Sequence, residues 1–273
     1  MTLKSGIRAG VPYSLSRWTD LPVAKWDWFK SCLDHQRMIA FDPRTAAPGV
    51  WSLHPKDTLG LVFWTKNPTN LIKDKQLLDP YRVVVHVTAT GWEEVEKGAP
   101  TLEESGKLLV QASEAFEKVY WRFSPVPLLP EEQVIARFTR LLQYAITAKV
   151  SQVYVSFLQE NDKVPETRDA ETRFHQLNLM AEIATAYGVE VLLCDDDKTF
   201  RGWEGALFKT GACVPPSDFD GGTHMEDCGC ALMVDPFTIN ESCQYGCAYC
   251  YAGDQSLSPK KRNTTKRGLN VIA

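Results

Sequence analysis

The chain has 273 residues, 44% hydrophobic and 23% charged, an ordinary globular composition with room for one large core or two small ones. Its formal net charge of -4 argues against a protein whose main work is gripping nucleic-acid backbone. No apolar run of about 18 residues occurs, which argues against a transmembrane helix, and the first residues lack the apolar stretch of a secretory signal, so the expected location is the cytoplasm.

Apolar runs rich in Val, Phe, Tyr and Trp mark six strands in chain order: 12–16 (PYSLS), 59–65 (LGLVFWT), 82–88 (RVVVHVT), 118–124 (KVYWRFS), 152–158 (QVYVSFL) and 189–194 (VEVLLC). Most are nearly continuous in apolarity, as strands covered on both faces should be. Helical patterns fall between them at 25–40, 101–116, 130–149 and 171–188. Thr101 with Glu104 three residues on is a capping-box signature. Pro130 opens the third helix and Gly188 closes the fourth.

Strand and helix alternating over nearly 200 residues predicts a parallel α/β architecture. Six strands suit a partial (β/α)6-type, TIM-like barrel or an open doubly wound sheet; in both, working residues gather at the carboxyl ends of the strands. We take the barrel, over residues 1–200. From about residue 200 the pattern stops and Gly, Pro, Asp and Cys dominate. Residues 201–256 are therefore expected to form a cysteine-rich segment folded around metal. Residues 257–273 read as a flexible basic tail, with a phosphate-binding arm as the sharper alternative.

Eight cysteines stand at 32, 194, 213, 228, 230, 243, 247 and 250. Only Cys32 precedes residue 194, so a disulfide framework would have almost nothing to staple. The clustering points to metal or redox chemistry in a reducing compartment. CQYGCAYCYA (243–252) sets Cys243, Cys247 and Cys250 at a C-x3-C-x2-C spacing. Thiolates suit iron–sulfur clusters and zinc alike. Three close cysteines can hold three irons of a [4Fe–4S] cluster and leave the fourth open; zinc would draw Cys228 or Cys230 in as a fourth ligand.

CQYGCAYCYA resembles the signature loop of the radical S-adenosylmethionine (SAM) enzymes, C-x3-C-x-aromatic-C, with Tyr249 in the aromatic position. The usual members carry this loop near the N-terminus, after the first barrel strand; here it comes last. SRWTDLP (16–22), FWTKNP (63–68), YWRFSPV (120–126) and the CGC at 228–230 resemble a domain-of-unknown-function family, distantly similar to the spore photoproduct lyase group, over roughly residues 13 to 252. The resemblance implies a [4Fe–4S] cluster on Cys243, Cys247 and Cys250, SAM as co-substrate, and an electron donor such as flavodoxin or ferredoxin. The displaced loop is intelligible if the C-terminal segment folds back over the barrel mouth. A small-molecule substrate is expected ahead of a nucleic-acid lesion, given the acidic charge balance.

Candidate cofactor-binding residues follow the strands: Arg17 and Asp20 after the first, Thr65, Lys66 and Asn67 after the second, Arg122 and Ser124 at the fourth, Asp195 after the sixth, with Tyr249 in the cysteine loop. Arg17, Lys66 and Arg122 are suited to holding SAM's carboxylate or an anionic substrate. Cys228 and Cys230 are candidate catalytic thiols, ligands of a second metal, or a pin for the loop; His224 is a possible metal partner. His86, in mid-strand, is expected to be buried and satisfied, with general acid–base work as the minority reading. The rival readings are a zinc-stabilised binding protein and an iron–sulfur electron carrier. No G-x-G-x-x-G, P-loop, G-x-S-x-G or H-E-x-x-H motif competes.

Overall fold

All six predicted strands form, and a seventh joins them. The computed structural model describes residues 11–16, 19–41, 48–158, 164–194, 199–219, 224–225, 228–235 and 243–250. In chain order the elements are β1 (Val11–Ser14), α1 (Leu21–Ala24), α2 (Trp26–Asp34), β2 (Arg37–Phe41), β3 (Pro48–Ser52), β4 (Thr58–Thr65), α3 (Thr69–Lys73) and β5 (Val83–Thr88). They continue with α4 (Leu102–Ala115), β6 (Lys118–Phe123), α5 (Glu131–Thr147), β7 (Gln152–Val155), α6 (Ala170–Thr185), β8 (Glu190–Cys194) and β9 (Lys209–Gly211). The main sheet runs β1-β4-β5-β6-β7-β8-β9, every neighbouring pair parallel. It curls into a half-barrel.

Period-two alternation sorts the strand side chains between two faces. Outward, Phe63, Val85, Trp121, Phe123 and Val155 share the main core with Leu109, Phe138, Leu141 and Met180 of the helices. The α4 start carries the expected capping box between Thr101 and Glu104. Inward, Val62 and Val84 pack against Val214, Phe219, Ala231 and Met233. The continuous apolarity of the strands is thus explained on both sides: helices cover one face and the C-terminal quarter covers the other.

Two expectations need correction. The helix predicted over 25–40 ends at Asp34, and Arg37–Phe41 pairs antiparallel with Pro48–Ser52 instead. The reason is burial with period two: Met38 and Ala40 are buried, while Ile39 between them is 65% exposed. The regular pattern also outlasts residue 200, because β9 (Lys209–Gly211) is the seventh strand of the same sheet. Its three residues are too few to show periodicity in sequence.

Beyond β9 the chain turns back through the concave side. Ala231 donates its backbone N–H to Val214 O (2.8 Å), and Ser14 of β1 donates to Val234 O (2.8 Å). Tyr13 and Val234 form a parallel bridge. The stretch 228–235 therefore links the β9 side of the half-barrel to β1 at its opposite edge. This return places the terminal cysteine loop near the first strands.

Candidate metal and cofactor site

The carboxyl ends of β1, β4 and β5 converge beneath the loop Cys243–Cys250. After β1, Asp20 turns its carboxylate inward, accepting from Thr65 Oγ1 (2.7 Å) and from the Lys66 backbone N–H (2.8 Å). Lys66, just past β4, brings its buried ammonium to 2.9 Å from Glu96 Oε2. Glu96 comes from the long loop after β5 and also accepts from the hydroxyls of Thr90 (2.9 Å) and Tyr249. One carboxylate thus ties together β4, the β5–α4 loop and the cysteine loop.

Backbone contacts fasten that loop further. Gly98 donates to Tyr245 O (3.1 Å) and Ala248 to Val95 O (2.9 Å). A Cβ on Gly98 would fall 2.6 Å from Gln244 O, so only glycine permits this approach. Gly246 turns the loop with φ of 57°. The Tyr249 ring stacks on Trp92, centroids 5.7 Å apart and planes 13° from parallel.

The thiols sit within this clamp. Cys243 Sγ accepts from the backbone amides of Tyr245 and Asp20, although burial still pushes its pKa up. Burial pushes Cys247 up to about 12, partly offset by the Lys66 charge beside it. Burial also opposes the charge on Lys66, but Glu96, Cys247 and Asp20 outweigh it and raise the ammonium above the ordinary lysine value. The Asp20 carboxyl rises to about 6 through burial, against the pull of the Lys66 amide and the Thr65 hydroxyl. Among the described residues no three His, Cys, Asp or Glu side chains already converge on a single-ion site.

The sequence candidates divide accordingly. Thr65, Lys66, Tyr249, Cys243, Cys247 and Cys250 are brought together with Asp20. Asn67 faces its own helix, accepting from the Thr69 N–H (3.0 Å) and hydroxyl. Arg122 lies on the concave face, its guanidinium 4.8 Å from the Trp64 ring centroid and its Nη2 3.4 Å from Ser124 Oγ. Cys228 and Cys230 are buried on the returning stretch, with Cys230 Sγ 3.6 Å from Cys213 Sγ. His224 pairs through its backbone with Ala231. Arg17 and Asp195 lie outside the described residues, as does the tail 257–273.

Glu96, Thr90, Trp92 and Gly98 were missed by sequence reasoning. They occupy the loop after β5, a working position in such sheets. Glu93, Glu94 and Glu96 stand together there, and nothing local distinguishes the one that turns inward. His86 is buried as expected but not satisfied: neither ring nitrogen has a hydrogen-bond partner. Its ring stacks on Trp64 at 4.1 Å between centroids and lies 5.1 Å from Tyr120.

A family model described as "Domain of unknown function (DUF1848)" matches residues 13–252, from β1 through the cysteine loop. This chain belongs to that family. The match makes the half-barrel and the DUF1848 cysteine loop parts of one domain. No curated protein matches the sequence. Two solved structures resemble parts of this DUF1848 chain. A protein described as "putative alpha-L-fucosidase from Bacteroides thetaiotaomicron" aligns at TM-score 0.31 and 11% identity, over 50% of this chain and 48% of that one. The triphenylmethane reductase of Citrobacter sp. aligns at TM-score 0.27 and 9% identity, over 76% and 52%. The matches span about half the length of either structure, and likenesses this distant carry no argument about activity. No helix among the described residues is long and apolar enough to cross a membrane.

Proposed function

We propose that this DUF1848 chain is a radical SAM enzyme on a TIM-like partial barrel, holding a [4Fe–4S] cluster through Cys243, Cys247 and Cys250. The observation that carries this reading is the position of the cysteine loop, clamped over the carboxyl ends of β1, β4 and β5 with the buried Lys66 ammonium beside Cys247. That end of a parallel α/β sheet is where chemistry is ordinarily housed.

The donor set fits the cluster. Both carboxylates nearest the thiols are engaged, Asp20 by Thr65 and the Lys66 amide, Glu96 by Thr90, Tyr249 and Lys66. Three thiolates with no spare carboxylate suit a cluster that leaves one position open better than they suit a closed structural zinc site. Backbone amides aimed at Cys243 favour its thiolate form, as donors to sulfur do around iron–sulfur centres.

When bound, the cluster would supply the electron that cleaves a sulfur–carbon bond of SAM and starts radical chemistry. The chain's own residues bind and shield. Lys66 offsets negative charge at Cys247. Asp20 and Glu96 fix the loop against the strand ends. Arg122, on the concave face, is positioned to hold a carboxylate of SAM or of a small-molecule substrate. Trp92 and Tyr249 cover one side of the loop with aromatic surface.

Electron paramagnetic resonance on anaerobically reconstituted, reduced protein, with and without SAM, tests the reading. A [4Fe–4S]+ signal whose g-values move on adding SAM is expected. A cluster signal indifferent to SAM would make the chain an electron carrier, and zinc with no competent cluster at these cysteines would make the loop structural.

A further inference from the structure

Five of the eight cysteines play no part in the site above, and four of them, all but Cys32, stand together. Cys194 is the last residue of β8, and Cys213 follows β9 by two residues. Cys228 and Cys230 flank Gly229, whose φ of 65° lets the chain turn sharply. Met225 N–H donates to Cys230 O (2.7 Å), closing a tight turn, and Ala231 N–H donates to Val214 O (2.8 Å), joining it to the segment that carries Cys213. The side chains touch in a row: Cys194 against Cys213, Cys213 against Cys230, Cys230 against Cys228.

The spacing selects among the fates of such a row. None of the four is joined in a disulfide. Cys213 Sγ and Cys230 Sγ are 3.6 Å apart, far beyond a disulfide bond of about 2.05 Å. Thiolates placed tetrahedrally about 2.3 Å from one zinc ion lie about 3.8 Å from one another. An iron–sulfur cubane holds its thiolates on separate irons and spreads them wider. The observed pair stands at thiol contact distance, a spacing that ligands of one metal ion share and that ligands of a cubane do not.

A second observation points the same way. His86 is fully buried, and both its ring nitrogens lack partners. It lies against the Cys213 side of the row, as does Arg122. A ring N–H and a guanidinium are donors suited to the negative charge that a thiolate set would carry. Tyr154 adds buried aromatic surface beside Cys213 and Cys230.

We propose that Cys194, Cys213, Cys228 and Cys230 bind one zinc ion through four thiolates, at a centre separate from Cys243, Cys247 and Cys250. Binding forms four zinc–sulfur bonds and releases four protons to solvent; no electrons move. The resulting centre carries two negative charges, which Arg122 partly offsets. The four thiols stand in a row and no three of them yet surround one point, so closing the row into a tetrahedron requires the end members, Cys194 and Cys228, to rotate toward the middle pair. Cys228 and Cys230 are then ligands, not catalytic thiols. The ion fastens the returning stretch 228–235 to β8 and β9, while Val234 fastens it to β1. It acts as the rivet that holds the concave face closed ahead of the terminal loop.

The test is metal analysis of full-length protein purified anaerobically, beside a variant with Cys243, Cys247 and Cys250 all replaced by serine. That variant is expected to retain one zinc ion per chain. Cobalt(II) in place of zinc should give thiolate charge-transfer bands and the visible bands of a tetrahedral site. Cys213→Ser with Cys230→Ser should lose the zinc. Where this double variant does not fold, the cobalt spectrum of the triple variant decides, since that protein keeps all four ligands. Absence of zinc from the triple variant, iron with labile sulfide in its place, or zinc retained after Cys213 and Cys230 are replaced would each overturn the assignment. A cluster that fails to form on the terminal loop leaves these outcomes unaltered.

Discussion

Lys66 Nζ lies 2.9 Å from Glu96 Oε2, with side-chain exposures of 12% and 5%, and Cys247 stands against the same ammonium. A pair so shielded behaves differently from a surface ion pair. Removing one partner strands a buried charge, at a cost of about 3–5 kcal/mol. Glu96→Ala is therefore expected to lower stability by that order in urea unfolding, and to release Tyr249 and Thr90 as well. Replacing both as Lys66→Met with Glu96→Leu should recover most of the loss. If the single variant unfolds at the parent's midpoint, the pair does not hold the loop down.

The contact between Gly98 and the cysteine loop gives a cleaner probe of docking. Gly98→Ala places a Cβ 2.6 Å from Gln244 O, a backbone atom that moves only with the loop. The expected result is loss of most of the iron taken up on reconstitution, with unchanged far-ultraviolet circular dichroism. Full iron content in this variant would show that the loop binds metal without being seated on the β5–α4 segment.

His86 sets a pH dependence of stability. Burial first, and then the Arg122 charge, lower its pKa from 6.5 to about 3, with Cys213 acting weakly in the other direction. The unfolded chain therefore binds a proton that the folded chain refuses. The stability this confers is complete above about 6.5 and is lost as pH falls toward 3. Trp64, Tyr120 and Tyr154 surround the ring, so His86→Phe preserves the stacking while deleting the titration. Between pH 7 and about 4.5, the metal-free parent should lose on the order of 2–3 kcal/mol more than the metal-free variant. Urea midpoints at the two pH values measure it, and parallel losses would place the acid sensitivity elsewhere.

What the sequence disclosed and what it hid follow from the range of the interactions involved. Strands such as 82–88 and 118–124 advertise themselves through local apolarity, and the capping box at Thr101 through local hydrogen bonding. The hairpin of Arg37–Phe41 was masked because its five residues continue a helical stretch with side chains equally at home in either state. The cysteine spacing in CQYGCAYCYA is local and legible. Glu96, Gly98 and Trp92 meet the cysteine loop through contacts with residues about 150 positions away, and no local rule reports a partner at that separation. The row Cys194, Cys213, Cys228 and Cys230 was hidden likewise: its members belong to three segments that the pairing of β8 with β9 and the returning stretch bring together.

Arg122 and Lys66 both present positive charge at the carboxyl end of the sheet, but their surroundings predict different behaviour. Lys66 is already paired with Glu96 and serves the loop. Arg122 lies over Trp64 with one long contact to Ser124 and retains donors for a ligand carboxylate. A charge-assisted hydrogen bond contributes roughly 1.5–3 kcal/mol, or about one to two orders of magnitude in affinity. Arg122→Gln is accordingly expected to weaken SAM binding by about tenfold or more, without loss of iron. Lys66→Gln should weaken binding less and reduce iron retention as the loop loosens. Equilibrium binding of SAM to anaerobic protein, with iron assayed on the same samples, separates the two effects. Unchanged affinity in both variants would remove these cations from the SAM site and leave Arg122 with the thiolates at Cys213.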